Sequence, residues 1–265
     1  MRISFLLAFS LFLIPTLFSQ PDPRVRANTA TQGIENTQDI DQLMMVVEGV
    51  GASSREDLQR QNVKAYMMPV RDATDDRLEW AYVLAGALEY YTNINQNYKD
   101  NLSPDLIALS LAAKGDASNM EAGLVFLRDV GTVSSAIVPY GSQTIPPAVY
   151  SVPRRKIANF GYLFRSTTRA RNRVFETRKA LSRGNPVIVE LSTGSDFVNA
   201  HSGLYVAPSS TTESHHLVVV GFDENAREFE MLAAKGRGWG DKGYIRIGYD
   251  DFGRLANGGY VLFPG

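Results

Sequence analysis

The residue types able to carry out chemistry are few and unevenly placed. The chain has 265 residues, three histidines and no cysteine. Without cysteine there is no thiolate nucleophile, thiolate metal site, iron–sulfur cluster or disulfide. His201 stands in a polar loop before Ser202-Gly203 and reads as a surface residue, whereas His215 and His216 open an apolar run that continues to Phe222. Neighbours on a strand point to opposite faces, so these two imidazoles should not converge on one ion. The other concentration of functional groups is basic. Arg154, Arg155, Lys156, Arg165, Arg169, Arg171, Arg173, Arg178, Lys179 and Arg183 share their stretch with a single acid, Glu176, and with Phe160, Tyr162, Phe164 and Phe175. A surface of that kind can hold an anionic partner such as an acidic peptide, an anionic polysaccharide or lipid headgroups. It can equally be a solvated face balanced by acids elsewhere in the fold, such as Asp72, Asp75 and Asp76.

These groups are carried by a chain of ordinary globular composition, 44% apolar and 21% charged, enough for a sizeable core in one large domain or two lobes. With 27 basic against 28 acidic residues, no general case exists for nucleic-acid binding. Met1 to Ser19 reads as a secretory signal: Arg2 is followed by the apolar run Phe5 to Phe18 and a small residue at Ser19. A membrane anchor is the competing reading, but the run is shorter than the ~20 residues a span needs. The mature chain is therefore expected to be exported, extracellular or periplasmic, without a transmembrane anchor.

Residues 20–55 read as a flexible leader with a short amphipathic helix over Asp39 to Val50, which either packs on the body or lies over a cleft as a pro-segment remnant. Helical spacing starts at Leu78, after Asp75 and Asp76, which suit a cap. Further helices are expected after Ser103-Pro104-Asp105 and over Asn119 to Val130. Beyond Pro139-Tyr140-Gly141 come strand-like runs: Pro186 to Leu191, His216 to Phe222, Glu228 to Leu232, Tyr244 to Ile247 and Tyr260 to Phe263. One helix, around Arg173 to Arg183, interrupts them. Helices first and strands later predict an α+β fold of two lobes, about 70–140 and 141–265, with a cleft between them.

Five colinear segments then resemble the papain-like cysteine peptidases. Pro69-Val70-Arg71-Asp72 and Glu79-Trp80-Ala81-Tyr82 resemble the loop and helix start that carry that family's nucleophile. Leu102 to Leu106 resembles its next helix, Val138-Pro139-Tyr140 the exit from its helical lobe, and Asn185 to Val189 with Ser202 to Tyr205 the start of its β lobe. His215 to Phe222 and Gly238 to Ile247 resemble its histidine strand and glycine–tryptophan turn. The resemblance covers roughly Lys64 to Gly265 and implies a papain-like domain over 56–265: a helical lobe followed by an antiparallel, barrel-like β lobe.

It also implies where the chemistry should be. In that family a cysteine attacks the peptide carbonyl, a histidine from the opposite lobe takes its proton, an asparagine orients the imidazole, and a glutamine stabilises the oxyanion. Carried over, the nucleophile's position is Glu79, the glutamine's Ala73, the histidine's His215 and the asparagine's Ala233, while the first tryptophan of the asparagine motif is Lys235. The paired glycines that hold extended substrate correspond roughly to Ala117 and Ser118, and Trp80, His216 and Trp239 join them as candidate binding residues. A glutamate is a poor nucleophile toward an amide, and losing the oxyanion donor alone costs about 10²- to 10³-fold in rate. The expected function is that of a secreted pseudopeptidase that binds an extended peptide or protein, an anionic one included, without cofactor or metal. The alternative is a hydrolase of altered chemistry with Glu79 and His215 as an acid–base pair. Glu79 is expected either to pair with His215 across the lobes or to point into water beside Arg77.

Overall fold

The computed structural model describes residues 33–47, 59–96, 99–115, 119–201 and 203–265. The expected export segment Met1 to Ser19, the leader as far as Gln32, and Ala117, Ser118 and Ser202 lie outside the described residues. Within Gly33–Gly265 the chain forms one compact unit.

The helices begin and end where local chemistry says they should. Helix α1 (Thr37–Leu43) is capped by Asn36, whose side chain accepts from the Gln38 N–H at 2.9 Å. Asp75 accepts from the Arg77 N–H and starts a 3₁₀ turn, Asp76–Leu78, that runs directly into α2 (Glu79–Gln96). Ser103 caps α3 (Pro104–Lys114), with proline at its first position and Gly115 at φ 69° to close it. Asn119 caps α4 (Met120–Asp129) in the same way. Helices α5 (Ala170–Ser182) and α6 (Tyr249–Leu255) belong to the strand-rich half.

Eight strands form one sheet: β1 (Arg60–Asn62), β2 (Ile157–Phe164), β3 (Val187–Thr193), β4 (Leu204–Tyr205), β5 (Glu213–Asp223), β6 (Glu228–Ala233), β7 (Tyr244–Gly248) and β8 (Ala256–Pro264). Their order is β2-β8-β3-β5-β6-β7-β4, with β1 also on β5. All pairings are antiparallel except β4 with β7, and the end strands do not meet, so the barrel-like lobe is open.

Period-two alternation divides the core. On β5, Val218 and Val220 join Trp80, Leu84 and Leu88 of α2, with Ile107 and Leu124 behind them. Leu217 and Val219 face the other way, toward Leu181 of α5, Phe252 of α6 and Ile40 of α1. Strand β2 is absent from the sequence reading because Asn159 and Gly161 break its pattern. Gly161 is needed there: a Cβ would stand 2.9 Å from Ile40 Cγ1, so its bareness lets α1 lie on the strand. The N-terminal helix thus packs on β2; it spans Thr37–Leu43 where the spacing predicted Asp39 to Val50, and residues 48–50 lie outside the described residues.

Candidate functional site

Residue 79 opens α2 with its side chain turned inward, leaving the glutamate only 2% exposed. Its Oε2 receives two contacts from β5, Nδ1 of His215 at 3.1 Å and the backbone N–H of His216 at 3.0 Å. Its Oε1 makes no hydrogen bond but faces Nζ of Lys235 at 3.6 Å, and that ammonium also binds Asp76 at 2.8 Å. Arg77, for its part, turns to Asp75, so the picture of Glu79 in water beside Arg77 is overturned. Buried charge must be matched. Here the match comes from β5 and from Lys235, two residues beyond the end of β6.

His215 is itself 4% exposed and lies stacked on Phe197, ring centroids 4.8 Å apart. Phe197 is held in turn by Trp239, which packs 5.0 Å away and donates from Nε1 to the Phe197 carbonyl at 2.8 Å. The second imidazole nitrogen looks toward Glu213 at 3.4 Å. Glu213 sits two residues earlier on the same strand and so on the same face, the spacing that could have revealed it. His215 therefore stands between two carboxylates, with Glu213 on the side away from Glu79.

The remaining expected positions are inert. Ala73 is buried, its N–H committed to the Ala234 carbonyl at 2.8 Å, and it offers no oxyanion donor. The backbone N–H of Glu79 is committed as well, to the Asp76 carbonyl. Ala233 is buried on β6 with only a methyl to present. Two candidate binding residues prove to be core: Trp80 is 3% exposed and packs over Gly123, where a Cβ would fall 2.6 Å from its ring, and Trp239 is 5% exposed. They are needed to fill space and to hold Phe197. His216 is half-buried, and burial holds its imidazole below the ordinary histidine range against the opposing pull of Glu79. Among the described residues no group of three His, Cys, Asp or Glu side chains is arranged to hold a metal.

The basic stretch is largely dismantled as a surface. Arg173 is buried, its guanidinium donating to the carbonyls of Ser166, Thr168 and Ala256, and is a strut of the fold rather than part of a patch. Arg165 pairs with Glu35 at 2.6 Å and covers the Tyr162 ring. Lys179 binds Asp41 and Glu176, Arg178 binds Glu224, and Lys156 donates to the Asp129 carbonyl. The balancing acids are thus Glu35, Asp41, Glu176 and Glu224, not Asp72, Asp75 or Asp76. Arg155 is engaged through its backbone with Thr132, while Arg154, Arg169 and Arg171 have no charged partner among the described residues. Of the aromatics, only Phe175 is exposed.

One ionic feature escaped the sequence reading altogether. Ten residues along α2 from Glu79, Glu89 is 1% exposed and binds Arg71 at 2.5 Å, while the Leu102 N–H donates to the same oxygen. Burial pushes its carboxyl up to about 7 against the stabilising pull of Arg71. Arg71 also donates to Asn101 and lies over the Tyr140 ring, which ties the approach to α2 onto the helical half.

A helix start facing a histidine strand across the junction of a helical and a strand-rich half is the active-centre geometry of papain-type folds. Residues 54–257 match the family described as papain family cysteine protease, and the chain belongs to it. It is 27% identical over 191 residues to ananain of Ananas comosus, covering 70% of this chain and 53% of that protein, so it spans about half of that relative. Among solved structures it resembles digestive procathepsin L 3 of Tenebrio molitor, with TM-score 0.66 and 16% identity over 90% of this chain and 86% of the other. It also resembles the Carica candamarcensis cysteine protease CMS1MS2 in complex with E-64, with TM-score 0.61 and 20% identity over 78% and 99%.

Proposed function

We propose that this chain is a secreted papain-family pseudopeptidase whose remaining role is to bind an extended peptide or a protein partner. The observation that carries the reading is Glu79 itself. A carboxylate stands at the nucleophile's position, and its Oε2 is already engaged by His215 and by the His216 N–H. Attack by that oxygen on an amide would have to give up both contacts to form an anhydride, a far more reactive acyl compound than the amide consumed. The absence of any cysteine and the alanines at 73 and 233 support the same conclusion. Secretion is supported by Arg2 and the apolar run Phe5 to Phe18.

The 3.1 Å contact between Glu79 and His215 favours a second reading, an acid–base pair acting through water on another substrate. Against it stand their burial and the absence of a side-chain oxyanion donor at Ala73. The test is incubation of the purified chain with peptide and ester libraries, beside Glu79→Ala. No turnover together with saturable peptide binding is the expected result. Hydrolysis lost in Glu79→Ala would sink the pseudopeptidase reading and establish the second.

A further inference from the structure

A second concave site lies where the chain approaching α2 meets the turn before β7. Met67, Met68, Pro69 and Val70 form its apolar side, and the cavity has a volume of about 570 Å³, within the usual size of ligand sites. The opposing turn is preformed. Gly243, at φ 91°, lies so close to Val70 that a Cβ would stand 2.3 Å from its Cγ1, and its N–H is bound to the Trp239 carbonyl at 2.7 Å.

The charges around this groove are unbalanced. Lys64 is matched by Glu230 at 2.7 Å and lies 3.7 Å from the centre of the Tyr244 ring. Lys99, Arg237 and Lys242 are exposed and have no carboxylate partner among the described residues; the one acid lining the groove is Asp241. The contrast with the stretch from Arg165 to Arg183 is plain, because there most cations already have an acid. Three unmatched cations beside a floor of two methionines, a proline and a valine call for a ligand both anionic and partly apolar. A sulfated polysaccharide would use the cations and leave the methionines uncovered; thioether side chains adapt readily to a partner's apolar groups.

The geometry points to this groove as a binding site for an acidic peptide segment that carries an apolar side chain between its carboxylates. It is distinct from the Glu79–His215 site and does not depend on whether that site turns over any substrate.

The probe is a fluorescein-labelled peptide, Glu-Asp-Leu-Glu-Asp, titrated with the full chain and read by anisotropy. Saturable binding is expected, weakened roughly tenfold in the triple variant K99S/R237S/K242S, a loss of about 1.4 kcal/mol shared among three exposed charge pairs. Binding should also fall as salt rises from about 50 to about 300 mM, and several-fold when the leucine is replaced by serine. The variant R169S/R171S, altered on another basic surface, should bind as the parent does. Absence of saturable binding, equal binding by the groove variant, or indifference to the leucine would each overturn the proposal. So would a heparin oligosaccharide that displaces the peptide and binds more tightly.

Discussion

Lys235 Nζ stands 3.6 Å from the one oxygen of Glu79 that makes no hydrogen bond, and 2.8 Å from Asp76 on the turn that leads into the same helix. The resemblance would put this lysine where the family's asparagine motif has its first tryptophan. The structure itself shows two opposite charges, on the start of α2 and just beyond β6, facing each other. Lys235→Met should destabilise the fold by about 2 kcal/mol by leaving a buried carboxylate oxygen facing no charge. Thermal unfolding should show a drop of roughly 4–8 °C for a chain of this size.

The Glu79–His215 contact makes a separable prediction. A double-mutant cycle with Glu79→Gln and His215→Phe should give a coupling energy of about 1–3 kcal/mol from denaturant midpoints. A coupling near zero would mean that the two side chains merely sit side by side.

Reinstating the family's chemistry tests the assignment of positions. The variant E79C/A73Q/A233N should fold and react with an epoxide probe of the E-64 type, since the new thiol would lie beside Nδ1 of His215. A folded but unreactive variant, judged by intact-mass measurement, would mean that either the assignment of positions or the openness of the cleft is wrong.

Glu89 predicts a dependence on pH. Its folded pKa is raised from 4.5 to about 7, so the folded state holds that proton more tightly than the unfolded chain does. Its contribution is fully present below about pH 4.5 and is lost as pH rises through about 7. Glu89→Gln removes the titration, so the difference in melting temperature between variant and parent should shift in the variant's favour across that window. A difference that stays constant with pH would exclude the assignment.

Helix α1 separates apolar from ionic anchoring. Ile40→Ala should cost about 3 kcal/mol, because Ile40 is 1% exposed between β2 and the second core. Asp41→Asn, which weakens the partly exposed pairs with Lys179 and Arg183, should cost no more than about 1 kcal/mol. Urea titration of both variants distinguishes them.

The capped helices and the long strands were legible because their signals are local: Ser103-Pro104 and Asn119 announce α3 and α4, and the β-branched apolar run within His216 to Phe222 announces β5. Position 79 stood out only through the resemblance, which puts the family's nucleophile directly before Trp80. What closed around it was not legible. Lys235 and Glu79 are brought together by backbone pairing of the stretch after β6 with Arg71 to Ala73 ahead of α2, and nothing in the spacing of charges fixes such a meeting. The basic stretch misled for a related reason: Arg173 resembles its neighbours in sequence, but its turn of α5 faces inward, toward the Ala256 carbonyl.

Strand β1 joins β5 by pairing Arg60 with Asp223, and the same strand carries His215 to a helix that begins at residue 79. Nearly the whole chain must therefore be present before β5 acquires its partners. Such long-range pairings form slowly. With no cysteine, the chain has no disulfide to hold a partly assembled sheet, so its passage to the folded state is the stage at which exposed strand edges leave it most open to aggregation.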